Sequence, residues 1–191
     1  MAKGADAMDI SLKLDELKEL CKDCTDFICR QKEILVVSHV DADGLTAAAI
    51  ICAALDRHNI DYKPLFFRQL DENALEEVAD QGADLVIFTD LGSGMIQEIL
   101  ERNLQAIVAD HHKPKACPAQ PLAHINPHLV GADGANQLSG SGSAFLLARA
   151  LASSPGANDD LAALAVVGAV GDLQDMASGQ LIGLNRYILD I

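Results

Sequence analysis

The sequence predicts an α/β fold, a doubly wound and mainly parallel sheet flanked by helices, with a metal site at the carboxyl ends of its strands. Two observations carry this expectation. Short apolar runs alternate with helical patterns along the chain, the signature of strand-helix-strand units. Three of those runs end on acids or imidazoles. Ile34-Leu35-Val36-Val37 leads into Ser38-His39-Val40-Asp41-Ala42-Asp43-Gly44, the run 84–90 ends on Asp90, and Ala106-Ile107-Val108-Ala109 leads into Asp110-His111-His112. Sites in open parallel sheets gather outside the carboxyl ends of the strands, so the fold argument and the ligand argument point to one place.

Taken in order, Met1 to Asp9 carry no pattern and read as a disordered terminus. Leu14, Leu17, Cys21, Cys24 and Ile28 then form a helical stripe. Cys21 and Cys24 have no second cysteine pair to complete a metal or redox site, and free cysteine packs as a small hydrophobe. Helices are expected over 44–58, 73–80 and 94–102, and strands over 62–67, 84–90 and 106–109. Ser139, Gly140, Ser141, Gly142 and Ser143 form a loop opening a helix at 144–151, and such a loop offers free N–H groups to a phosphate. Arg68, just past the second strand, is a candidate phosphate ligand. The nearly all-apolar stretch 161–170 reads as a buried helix delivering Asp172, and a last helical pattern starts near 180.

At 191 residues with 50% hydrophobic content, the chain has ample material for the core of one large domain. Lys plus Arg number 14 against 28 Asp plus Glu, a formal charge of −14 that excludes a broad electrostatic grip on a nucleic-acid backbone. It does not exclude cutting one, because a phosphodiesterase needs acids for its metal ions. Five cysteines, no secretory leader pattern and no apolar run long enough for a membrane span point to a reducing cytoplasm and no membrane partner.

A single Asp at a strand end is commonly just a helix cap or a turn residue. Several carboxylates brought to one edge are a different matter, since each like pair at ~4 Å costs on the order of 4 kcal/mol at an effective dielectric near 20. Bound cations relieve that repulsion. If the first strand stays extended past Val37, its period of two puts His39, Asp41 and Asp43 on one side. Carboxylates with one or two imidazoles suit manganese or magnesium ahead of zinc. The ligands outnumber one ion's needs, so two divalent ions about 3.5–4 Å apart, bridged by a carboxylate, are expected.

In order and spacing, the stretch 39–44, Asp90, Asp110-His111-His112 and Gly171-Asp172 resemble the four motifs of the DHH phosphoesterase superfamily. His124-Ile125-Asn126-Pro127 and 138–145 are similar to its RecJ-like branch, including archaeal members. The resemblance covers about 34–172. It implies a single-strand exonuclease in which Asp90 bridges two ions, His39 and Asp41 serve one, and Asp43, His111 and Asp172 serve the other. It further implies that Asp110 orients an imidazole and that His112 meets the scissile phosphate or the leaving group. Many bacterial members carry Asp where this chain has His39. The resemblance also implies a catalytic domain over 10–178, with 179–191 starting a connecting helix toward a second domain beyond this chain. Two other readings share these motifs: a phosphatase for pyrophosphate or short oligonucleotides, and a noncatalytic replication scaffold that binds GINS.

Overall fold

The computed structural model describes residues 2–191, with the side chains of residues 2–7 and 23 outside the description. The order of elements is α1 (Ala2–Ile28), β1 (Glu33–His39), α2 (Ala42–Arg57), β2 (Asp61–Phe67), α3 (Glu72–Asp80), β3 (Val86–Thr89), α4 (Ile96–Glu101), β4 (Ala106–Ala109), β5 (Ala123–Ile125), α5 (Gly140–Leu151), α6 (Ala162–Gly171) and α7 (Gly183–Leu189). The five strands form one all-parallel sheet in the order β2-β1-β3-β4-β5.

The strand sequences explain the layering. Ile34 and Val36 of β1 pack with α1, α2 and α5 in one buried cluster, while Leu35 and Val37 pack with α3 and α4 in a second cluster on the opposite face. Ile87 against Phe88, and Ile107 against Val108, divide the same way. Strands covered on both faces need apolar side chains at every position, which is why they read as continuous apolar runs. Pro64 sits in β2, an edge strand, where its missing N–H costs no ladder bond on the open side. The chain steps outward from β1 to β2 and then returns past β1 to β3. That places the reversal of winding between β1 and β3, where a crevice opens at the carboxyl ends.

Several boundaries differ from the sequence reading, each for a local reason. β1 stops at His39, because Asp41 turns the chain and caps α2, its Oδ1 accepting from the Gly44 amide at 2.9 Å. His39, Asp41 and Asp43 therefore converge from a strand end, a cap and a first helical turn rather than by strand alternation. Residues 140–143 belong to α5 itself, with Ser139 as its cap. β5 is a short strand that sequence patterning missed: three residues give too little alternation to read. Helix α6 is buried on one side only, since Val167 and Val170 are exposed, as are Leu173 and Met176 beyond it. The last helix starts at Gly183 and lays Leu184 and Ile188 into the larger core. The expectation for Met1 to Asp9 falls largely outside the described side chains. Among the described residues, no helix is long and apolar enough to cross a membrane.

The cap of α5 yields a measurable expectation. Ser139 is fully buried and its Oγ accepts from the Gly142 amide at 3.1 Å. Ser139→Ala should lower unfolding stability by roughly 1 kcal/mol in urea titration, the usual cost of deleting a helix cap.

Candidate metal centre

The last residue of β1, His39, and the residue after β3, Asp90, stand side by side at the switch point. Asp90 has φ 56, the left-handed region that a non-glycine residue enters at a cost, and strain of this kind gathers at functional sites. The bend turns its carboxylate inward, where it is 2% exposed. Gly140 at the start of α5 makes that position available: a Cβ there would lie 2.5 Å from Asp90 Oδ1.

Three groups of ligand atoms gather around Asp90. His39, Asp41 and Asp90 form one group able to hold a cation, Asp43, His111 and Asp172 form another beside it, and Asp90, Asp110, His111 and His112 form a third. Asp90 Oδ2 lies 3.7 Å from His39 Nδ1, and its Oδ1 lies 3.2 Å from His111 Nε2. His111 Nε2 is in turn 3.8 Å from Asp43 and 3.7 Å from Asp172. Neither oxygen of Asp90 has an aligned hydrogen-bond donor among the described residues. A buried carboxylate with two unmet oxygens, each facing a different cluster, fits bound divalent metal better than any contact among the described residues.

The other groups are held in place by the protein. His39 Nε2 donates to the carbonyl of Arg68 at 3.0 Å, and His111 Nδ1 donates to that of Gly134 at 2.7 Å. A carbonyl only accepts, so each ring turns its other nitrogen, His39 Nδ1 and His111 Nε2, toward Asp90. Asp43 accepts from the amides of Gly140 at 2.7 Å and Ser141 at 2.9 Å, at the positive end of α5. Asp172 caps the carboxyl end of α6, where the helix dipole disfavours an anion, and is held by Gln174 Nε2 at 2.9 Å.

Asp110 is arranged differently. Its Oδ1 accepts from the amides of His111 at 2.7 Å and His112 at 3.1 Å and from His112 Nδ1 at 2.8 Å, while Oδ2 accepts from the Ser93 amide at 2.9 Å. Burial opposes its charge, yet the hydrogen bond from His112 and the neighbouring imidazoles hold the carboxyl below the usual range. Its oxygens are occupied by donors, which leaves it as the residue that orients His112. The His112 side chain is 59% exposed, and its contact with Asp110 shifts its pKa upward.

Three supporting residues escaped sequence reading. Ser93 links the loop after β3 to Asp110 and to His124 Nε2 at 2.9 Å, and Asn126 donates to both Ser93 Oγ and the His112 carbonyl at 2.9 Å. Gln174 ties Asp172 to the Gly134 carbonyl. None of these has a spacing signal. The only hint was the stretch 124–127, which turns out to supply Asn126.

The substrate-facing expectation for residues 139–143 needs correction. Ser139, Gly140, Ser141, Gly142 and Ser143 are buried. The amides of Gly140 and Ser141 serve Asp43, that of Gly142 serves Ser139 Oγ, and that of Ser143 serves the Ser139 carbonyl. Ser143 Oγ donates to the Asp110 carbonyl and Ser141 Oγ to that of Ala165. The anion at this helix start is Asp43 of the same chain. Arg68 is exposed and, with His39, Asp90, Gly92, Met95 and His112, lines an open cleft of about 240 Å³.

Comparison with known proteins adds four findings. The model of the DHH family, N-terminal domain, matches residues 33–169. An uncharacterised protein of Methanocaldococcus jannaschii is 33% identical over 185 residues, 93% of this chain and 41% of that protein. The single-stranded-DNA-specific exonuclease RecJ of Thermus thermophilus is 33% identical over 186 residues, 93% of this chain and 27% of that protein. The chain thus spans less than half the length of either relative. Among solved structures, exonuclease RecJ bound to manganese superposes with TM-score 0.72 at 28% identity, covering 91% of this chain and 46% of that one.

Two outcomes follow from the geometry. Gly140→Ala should leave the helical circular-dichroism signal intact while weakening manganese binding at least tenfold by calorimetry, because the added methyl displaces Asp90. Without metal, burial first of all pushes Asp90 up to about 8; His111, although burial opposes its charge, is pushed up to about 10 by the carboxylates around it. Both folded-state values exceed the unfolded ones, so the metal-free protein holds extra protons and loses stability as pH rises from about 4 toward 10. Metal binding at neutral pH should therefore release protons, read as a dependence of the calorimetric enthalpy on buffer ionisation enthalpy.

Proposed function

The chain belongs to the DHH family, and from that premise we propose that residues 10–178 are the catalytic domain of a metal-dependent phosphodiester hydrolase. The substrate is single-stranded DNA or RNA, cut from an end in the manner for which the related exonuclease of Thermus thermophilus is named. The observation that carries the reading is Asp90, whose two orphaned oxygens face two separate ligand groups. His39 and Asp41 would hold one divalent ion and Asp43, His111 and Asp172 the other, with Asp90 between them and manganese the favoured metal. Such a pair supplies charge neutralisation at the scissile phosphate and a more acidic water. In this reading replication partners such as GINS would dock outside the metal centre.

The chain's own residues set the geometry around that chemistry. The carbonyls of Arg68 and Gly134 fix the two imidazoles, so the other nitrogen of each ring faces Asp90 before any substrate arrives. Asp110 accepts a hydrogen bond from Nδ1–H of His112, which leaves Nε2 facing the cleft. A protonated His112 there can hydrogen-bond the phosphate and hand its proton to the leaving oxygen, while water attacks phosphorus from the opposite side. The orphaned carboxylate of Asp90 supports catalysis over a pure scaffold role, because a scaffold gains nothing from an unrelieved buried carboxylate.

End-labelled DNA and RNA oligonucleotides incubated with manganese test the activity directly, and a ladder of mononucleotide loss is the expected product pattern. Asp90→Ala should abolish turnover. His111→Ala should lose manganese affinity, whereas His112→Ala should keep the metal and lose turnover by roughly 10²- to 10⁴-fold, the range of proton-transfer catalysis. Asp110→Asn removes the contact that raises the His112 pKa, so the alkaline limb of the rate profile should move to lower pH.

A further inference from the structure

The lysines and arginines are divided in an uneven way. Of the 14 in the chain, seven sit in ion pairs with acids: Lys13, Lys18, Lys22, Arg57, Arg102, Arg149 and Arg186. Among the described residues, the cations without an acid partner form two sets of three at opposite ends of the sheet. Arg30, Lys32 and Lys63 line a cleft at the amino ends of the strands together with Glu33 and Asp84, whose carboxylates offset much of their charge. Arg68, Lys113 and Lys115 lie at the carboxyl ends, around the metal centre.

This second set brackets the site. Arg68 follows β2 and borders the cleft on one side; Lys113 and Lys115 follow His112, beyond β4, on the other. The segment that carries the two lysines is fixed: Pro114 restrains its backbone, and the Lys115 amide donates to the carbonyl of Ser93, in the loop whose Gly92 and Gly94 line the same cleft. On a chain with twice as many acids as bases, these three exposed cations remain available to a ligand anion. Cations that follow β2 and β4, two strands separated by β1 and β3, match an anion with charges spaced along its length.

Resting on the proposed phosphodiester chemistry, we infer that Lys113 and Lys115 form a second phosphate-binding arm opposite Arg68. The ligand is a single-stranded nucleic-acid backbone that crosses the sheet end from β2 toward β4. The metal centre takes the scissile phosphate, and the two arms take the phosphates on either side of it. The site then favours a substrate with phosphates flanking the cut over an isolated phosphodiester or pyrophosphate.

The test measures binding of a fluorescein-labelled twelve-residue oligothymidylate by anisotropy, with calcium in place of the catalytic ion, between 50 and 200 mM salt. Each phosphate contact to a single strand contributes about 0.7 to the slope of log affinity against log salt. The double variant Lys113→Ala/Lys115→Ala should lose about 1.4 from that slope and bind several-fold more weakly. The triple variant Arg30→Ala/Lys32→Ala/Lys63→Ala changes the net charge by more, yet should leave the slope intact. An unchanged slope in the double variant, or an equal fall in both variants, overturns the inference. A protein that binds with the expected slopes but hydrolyses no labelled strand with manganese would refute the proposed activity and leave the arm standing. A protein that hydrolyses strands while the double variant keeps the full slope would do the reverse.

Discussion

Five aspartates share one end of this sheet, and their mutual repulsion is the constraint that the surrounding structure answers. Like charges a few ångströms apart cost several kcal/mol in a partly buried setting. The chain gives four of the five their own donors: the amide of Gly44 for Asp41, the start of α5 for Asp43, Ser93 and the His111 and His112 amides for Asp110, and Gln174 for Asp172. Asp90, at the centre, receives no aligned donor among the described residues. Stabilisation is thus spent on the periphery and withheld from the middle, which leaves a strong local demand for positive charge between fixed neighbours.

The same division separates two kinds of histidine. His39 and His111 are turned by main-chain carbonyls so that their other ring nitrogens meet at Asp90, whereas His112 is turned by a carboxylate and stays accessible at the cleft. A carbonyl partner fixes which ring nitrogen faces Asp90, while the carboxylate behind His112 favours its protonated ring.

Much of this was legible in the sequence because strand ends in parallel sheets are predictable from apolar runs, and the side chains of His39, Asp41, Asp43, Asp90, His111 and Asp172 do lie together at one end of the sheet. What sequence reading missed depends on contacts between distant segments. The Gly- and Ser-rich stretch at 139–143 has the composition of a loop, yet it forms a buried helix start because Asp90 and Asp43 press against it. Gly168 shows the same logic, since a Cβ there would lie 2.4 Å from Thr46 Oγ1 and 2.5 Å from Asp43 Oδ1. Ser93, Asn126 and Gln174 are ordinary polar residues in sequence; only the fold reveals that they brace the site. The exposed side of α6 was unreadable for the opposite reason, because an all-apolar helix carries no pattern that tells its covered face from its open one.

One residue joins the two halves of this arrangement. Arg68 offers its carbonyl to His39 and its side chain to the cleft. Every amino acid has a carbonyl, so replacement of this side chain leaves the bond that orients the imidazole available to the newcomer. Variation at position 68 can therefore retune which anions are admitted without disturbing the ring behind it. The inner shell is buffered against drift at its rim, a separation of roles that would let descendants of this fold explore new substrates while keeping the same chemistry.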